Sequence, residues 1–85
     1  MYQKEISGTA HHQLRKLSVI NQRRVNNAIG QLSNNPRPFG VKKLKGEDGK
    51  DIYRIRVGNY RILYRVDDST RLISIYRIMP RENVY

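Results

Sequence analysis

Arg54, Arg56 and Arg61 fall close together in the stretch YRIRVGNYRILYRV, residues 53–66, and their spacing sets a chemical question. If Gly58-Asn59 is a two-residue hairpin loop, Val57 pairs with Tyr60 and Arg56 faces Arg61 across the ladder. Tyr53, Ile55 and Val57 then share an apolar face with Tyr60, Ile62 and Tyr64, and the three arginines collect on the other face. Like charges directly opposite each other destabilise a sheet by up to about 1 kcal/mol, a cost that an anion held between them would remove. Guanidinium groups grip phosphate through paired N–H donors, and away from water they stabilise the extra negative charge of a pentacovalent phosphorane. That is the chemistry of phosphodiester cleavage. In RNA the neighbouring 2′-OH can be the nucleophile, so a protein need only position the chain, assist proton transfer and neutralise charge, with no metal required. The same arginines also fit the outer face of a one-sided sheet, where they would simply keep it soluble.

The basic set extends beyond the hairpin. Lys42, Lys43 and Lys45 precede it, Arg65 lies on it, Arg77 and Arg81 follow, and Tyr85 stands at the end. Seventeen Lys and Arg against seven Asp and Glu give a formal charge of +10, which makes a polyanion or an acidic protein the natural partner. There is no cysteine, so neither disulfides nor thiolate metal sites are expected, and the cytoplasm is the expected compartment. The N-terminal residues lack the apolar core of a signal peptide, and no apolar run approaches the roughly 20 residues that span a bilayer. His11 and His12 are adjacent, so on a helix they diverge by about 100° and cannot chelate as an i, i+4 pair would. A Ser-His-acid triad has no histidine after position 12 to use, and Walker and dinucleotide glycine patterns are absent. No cofactor and no metal are expected.

Elements must position these residues. Tyr2 to Ile6 alternates as an edge strand, and Ser7-Gly8-Thr9 offers capping oxygens to a helix. Ala10, Leu14 and Leu17, then Val25, Ala28, Ile29 and Leu32, keep a helical period with a break near Ser18, which predicts an antiparallel helix hairpin. Pro36 ends the second helix. Gly40 to Gly46 reads as a basic strand or loop, Glu47 to Lys50 as a turn, and the hairpin of residues 52–66 follows. A further turn at Asp67 to Thr70 leads to a strand from Arg71 to Ile78 of unfixed register, stopped by Met79-Pro80. The expectation is one α+β domain over residues 1–85: a small twisted, mainly antiparallel sheet of about four strands packed under an N-terminal helix hairpin.

The ordered set Asn35-Pro36-Arg37-Pro38, Val41-Lys42-Lys43-Leu44-Lys45-Gly46, Tyr53 to Tyr64, and Arg77-Ile78 to Val84-Tyr85 resembles the RelE/ParE toxin superfamily of toxin-antitoxin systems. The resemblance spans nearly the whole chain and implies the same fold. It also implies a ribosome-dependent endoribonuclease, an mRNA interferase that cuts by 2′-OH attack, leaves a 2′,3′-cyclic phosphate and inhibits translation. Matched by motif, Arg54, Arg56, Arg61, Arg81 and Tyr85 take the catalytic positions. Lys42, Lys43, Lys45, Arg65 and Arg77 are expected to bind RNA or the ribosome. An acidic, RelB-like antitoxin is the implied partner, beside ribosome and mRNA, with no membrane. Two departures bear on mechanism. Met79-Pro80-Arg81 stands where many relatives carry Gly-His-Arg, and arginines occupy two positions that are lysines in RelE. Arginine does not lose its proton at ordinary pH, so the general base is either Tyr85, its pKa lowered by the guanidinium cluster, or no protein group at all, with Tyr85 stacking on a base. The alternatives within the superfamily are a ParE-like toxin that poisons DNA gyrase and a catalytically inactive binding module.

Overall fold

The computed structural model describes residues 1–80. Two serines start the helices. The Ser7 hydroxyl accepts the Ala10 N–H at 3.0 Å to open α1 (Gly8–Arg15), and the Ser18 hydroxyl accepts the Asn21 N–H at 3.2 Å to open α2 (Val19–Asn34). The second cap is the physical reason for the break in period near Ser18. Asn35 is extended and Pro36 follows, which ends α2 as expected. Ala10, Leu14, Val25, Ile29 and Leu32 form the buried stripe of the two helices.

Five strands make one sheet: β1 (Gln3–Ile6), β2 (Lys42–Lys45), β3 (Asp51–Val57), β4 (Tyr60–Asp67) and β5 (Leu72–Pro80), in the order β1-β5-β4-β3-β2. β1 runs parallel to β5, and the remaining pairs are antiparallel. The sheet is therefore α+β in setting and mainly antiparallel, one strand larger than the expected four. The hairpin register is the expected one, with Val57 opposite Tyr60 and Arg56 opposite Arg61. Gly58 has φ 58° while Asn59 keeps a negative φ, the pattern of a type II′ turn, which needs glycine at its first central position.

β5 departs from expectation in two ways. Leu63 pairs with Arg77 but Tyr64 pairs with Ile75, so Tyr76 is an extra, bulged residue that breaks simple alternation. The strand also runs through Met79 to Pro80 instead of stopping before them, because Pro80 occupies the terminal position opposite Tyr60, where a missing N–H costs the ladder little.

Tyr64 sits at the centre of the core, fully buried, and its hydroxyl donates to the Pro36 carbonyl at 2.7 Å. Burial pushes its pKa up. Its ring stacks on Tyr53 with centroids 5.6 Å apart, and the Arg37 guanidinium lies over the Tyr53 ring at 5.2 Å. The core thus fixes the segment that leaves α2. At the other edge, β1 ends at Ile6, opposite Ile75. Beyond that point α1 and its cap serve the ladder groups of β5: the Ser7 hydroxyl donates to the Tyr76 carbonyl at 3.1 Å, and the Ile78 N–H donates to the Gln13 carboxamide oxygen at 2.7 Å. Replacing Tyr64→Phe leaves the Pro36 carbonyl without its donor and is expected to lower unfolding free energy by about 1–3 kcal/mol in a urea titration. A change within a few tenths of wild type would show that this bond does not hold the segment.

Candidate phosphate site on the arginine face

Pairing places the side chains. Arg56 faces Arg61 directly, Arg54 stands between Lys42 on β2 and Leu63 on β4, and Arg61 lies beside Met79 on β5. Arg54 and Arg61 are half-buried and Arg56 is exposed. The Nε atoms of Arg54 and Arg61 are shut off from solvent and have no hydrogen-bond partner among the described residues. A buried donor without an acceptor is costly, the more so on a charged group. Arg56 and Arg61 face each other with Arg54 on the same side, and none of the three is paired with a carboxylate among the described residues.

Among the described residues the paired carboxylates are elsewhere. Asp68 holds Arg37 at 2.8 Å, Asp51 holds Lys45 at 2.9 Å and Lys43 at 3.6 Å, and Asp48 holds Arg65 at 2.9 Å. Arg65 packs over Gly46, where an added Cβ would lie 2.9 Å from its Nη2. These pairs gather at the end of the sheet remote from the Gly58 turn. Among the described residues they neutralise that end and leave the turn end cationic.

The three lysines expected to act together are divided by register. Lys42 shares the face of Arg54, whereas Lys43 and Lys45 turn to Asp51. Arg77 is exposed and lies opposite Leu63, on the arginine face. Arg65 is tied to Asp48 and stands apart from the hairpin trio. Arg81 and Tyr85 lie outside the described residues. One cation was not anticipated: Arg24 of α2 brings Nη1 within 3.6 Å of where a Cβ on Gly58 would sit, adding a guanidinium at the turn. Only the docking of α2 against the hairpin reveals it, since Arg24 sits in an ordinary polar stretch of helix. A cleft was also unforeseen. It has a volume of about 610 Å³ and lies between the C-terminal half of α2 and the end of β3, with Phe39, Lys42, Arg54 and Arg56 among its walls.

The charge separation carries a pH signature. Arg37 and Tyr2 hold Asp68 below the usual carboxylate range, Arg65 does the same for Asp48, Lys45 for Asp51, and the Ser69 hydroxyl for Asp67. Their folded values lie below their unfolded ones, so these contacts stabilise the fold above about pH 4 and are lost as pH falls through the folded values. Denaturant stability is expected to decline progressively below pH 4, and Asp68→Asn to flatten part of that slope. A wild-type profile that is flat from pH 5 to pH 2 would contradict this.

Comparison with known proteins identifies the family and the fold. The sequence family described as the ParE toxin of type II toxin-antitoxin system, parDE, matches residues 5–85. A Methanocaldococcus jannaschii protein named RelE1 is 37% identical over 75 residues, covering 85% of this chain and 81% of the relative. Among solved structures, the archaeal RelE-RelB complex from Pyrococcus horikoshii OT3 superposes with a TM-score of 0.86 at 31% identity, covering 98% of both chains. The toxin-antitoxin complex RelBE2 of Mycobacterium tuberculosis gives 0.79 at 33% identity over 94% of this chain and 98% of that one. The isolated E. coli RelE toxin gives 0.82 at 22% identity, covering 99% and 88%, a likeness of fold. With the arginine hairpin, the helix pair and the five-stranded sheet all in place, this chain belongs to the RelE/ParE superfamily and is a toxin of a type II toxin-antitoxin system.

Proposed function

We propose that this toxin is a ribosome-dependent endoribonuclease that cleaves messenger RNA by attack of a 2′-OH on the adjacent phosphodiester and so inhibits translation. The observation that carries the reading is the facing pair Arg56 and Arg61, with Arg54 on the same face and no carboxylate paired to any of the three among the described residues. A scissile phosphate between Arg56 and Arg61 supplies the negative charge that the three arginines lack, and the dianionic transition state supplies it more strongly. In this scheme Arg54, Arg56 and Arg61 clamp the phosphate, and Arg81 and Tyr85 complete the site from the C-terminal residues. Lys42 adds charge on the clamp side, and Lys43, Lys45, Arg65 and Arg77 contact RNA backbone. The whole chain works as one RelE-like domain, with an acidic antitoxin as partner, in keeping with the toxin-antitoxin complexes among its structural neighbours.

The match to the ParE family favours one competing reading, a toxin directed at DNA gyrase. Primer extension on a translated message after induction separates the two: discrete cuts within codons support the nuclease, while intact message with double-strand DNA breaks supports gyrase poisoning. In single-turnover cleavage of ribosome-bound message, Arg56→Ala and Arg61→Ala are each expected to cost about 10²-fold or more, the scale of losing one preorganised donor to a developing oxyanion. Both variants are expected to fold as stably as wild type or slightly more so, because each relieves the cross-strand repulsion. If Arg61→Ala melts the protein while its folded fraction cleaves normally, the arginines are structural.

A further inference from the structure

We propose that the cleft between α2 and the end of β3 is a subsite for a single unstacked nucleobase, held beside the phosphate clamp. The inference rests on the nuclease reading and adds a site for the base to it. Three features of the cleft carry it.

Its walls are the mixture that single-stranded RNA calls for. Phe39 stands at the cleft with its side chain fully open to solvent, at 108% of its reference exposure. A phenyl ring left bare beside Lys42, Arg54 and Arg56 is a stacking platform next to phosphate-binding cations. The carboxamides of Gln31 and Asn35 also line the cleft and can pair with base edges, although the Asn35 oxygen already accepts the Arg37 N–H at 3.2 Å. The volume, about 610 Å³, lies inside the range of roughly 300–1,000 Å³ typical of small-ligand sites.

The sheet edge here is unfinished. β2 stops at Lys42, opposite Arg54, whereas β3 continues to Val57. In a two-residue hairpin the closing pair Val57 and Tyr60 bond to each other, so Arg56 turns its own N–H and C=O outward. On the β5 edge the equivalent groups are served by Ser7 and Gln13; for Arg56 no such partner exists among the described residues. One free donor and one free acceptor match the edge of a base. They are too few for an added peptide strand, since the turn at Gly58 follows at once.

Arg56 therefore links the two sites, its guanidinium on the clamp face and its backbone at the cleft. A base seated there would bring its own phosphate to the clamp, so binding the base positions the reacting bond.

The test uses the full-length protein and a fully 2′-O-methylated RNA trinucleotide, which resists cleavage, against the same trinucleotide with its central base removed. Amide shifts in NMR titrations are expected at Gln31, Phe39, Gly40 and Arg56 with the intact trinucleotide. Phe39→Ala should weaken that binding by about tenfold or more, leave binding of the abasic trinucleotide unchanged and leave the melting temperature unchanged. Shifts confined to Arg54, Arg61 and their neighbours, equal losses for both trinucleotides, or no shifts at millimolar trinucleotide would each overturn the base subsite. So would cleft shifts caused by an acidic peptide but not by the trinucleotide, which would assign the cleft to a protein partner. Codon-specific cuts in primer extension accompanying any of these results would leave the nuclease reading standing, whereas its own failure is an uncut message.

Discussion

The register of one hairpin governs the functional surface of this protein. A type II′ turn at Gly58-Asn59 admits a single pairing of β3 with β4, and that pairing sends Tyr53, Ile62 and Tyr64 into the core while setting Arg56 against Arg61. A slip of one residue would bury arginines and expose tyrosines. The hydrophobic core is therefore what forces two cations together, and stability won on one face of the sheet holds a repulsive arrangement on the other. In the proposed nuclease such a device would keep the binding groups in place before the ligand arrives, so little reorganisation would remain when charge develops in the reaction.

Charge and hydrogen bonding are distributed in support of this. Asp48, Asp51 and Asp68 engage Arg65, Lys43, Lys45 and Arg37 at the far end of the sheet and stay clear of the hairpin trio. The sheet edges differ in the same way. α1 and its cap complete β5 where β1 runs out, while β3 outruns β2 with nothing supplied in its place. Among the described residues, the places where the fold leaves donors unsatisfied coincide with the places where it leaves cations unpaired, which supports the proposed phosphate site.

Much of this was legible in the sequence because local rules decide it. A glycine in a two-residue loop fixes the arginine face, and serine caps with apolar spacing fix the two helices. The rest depends on long-range geometry. The bulge at Tyr76 breaks alternation in β5, so its register could not be read from pattern, and Pro80 continues that strand because of what lies opposite it. The lysines of β2 look equivalent in sequence, yet pairing with β3 assigns Lys42 to one face and gives Lys43 and Lys45 to Asp51. Arg24 and the cleft beside Phe39 arise only when α2 packs on the sheet, which no short-range signal encodes.

In the proposed site, Arg56 and Arg61 oppose each other until a phosphate lies between them. A double-mutant cycle on unfolding free energy, using Arg56→Ala, Arg61→Ala and the double variant, measures their coupling directly. It should be run in buffer free of polyvalent anions and again with a saturating, 2′-O-methylated dinucleoside phosphate. An unfavourable coupling of up to about 1 kcal/mol is expected without the phosphate, turning favourable with it. A coupling that is zero or favourable in the absence of the phosphate, and unmoved by its addition, would contradict it.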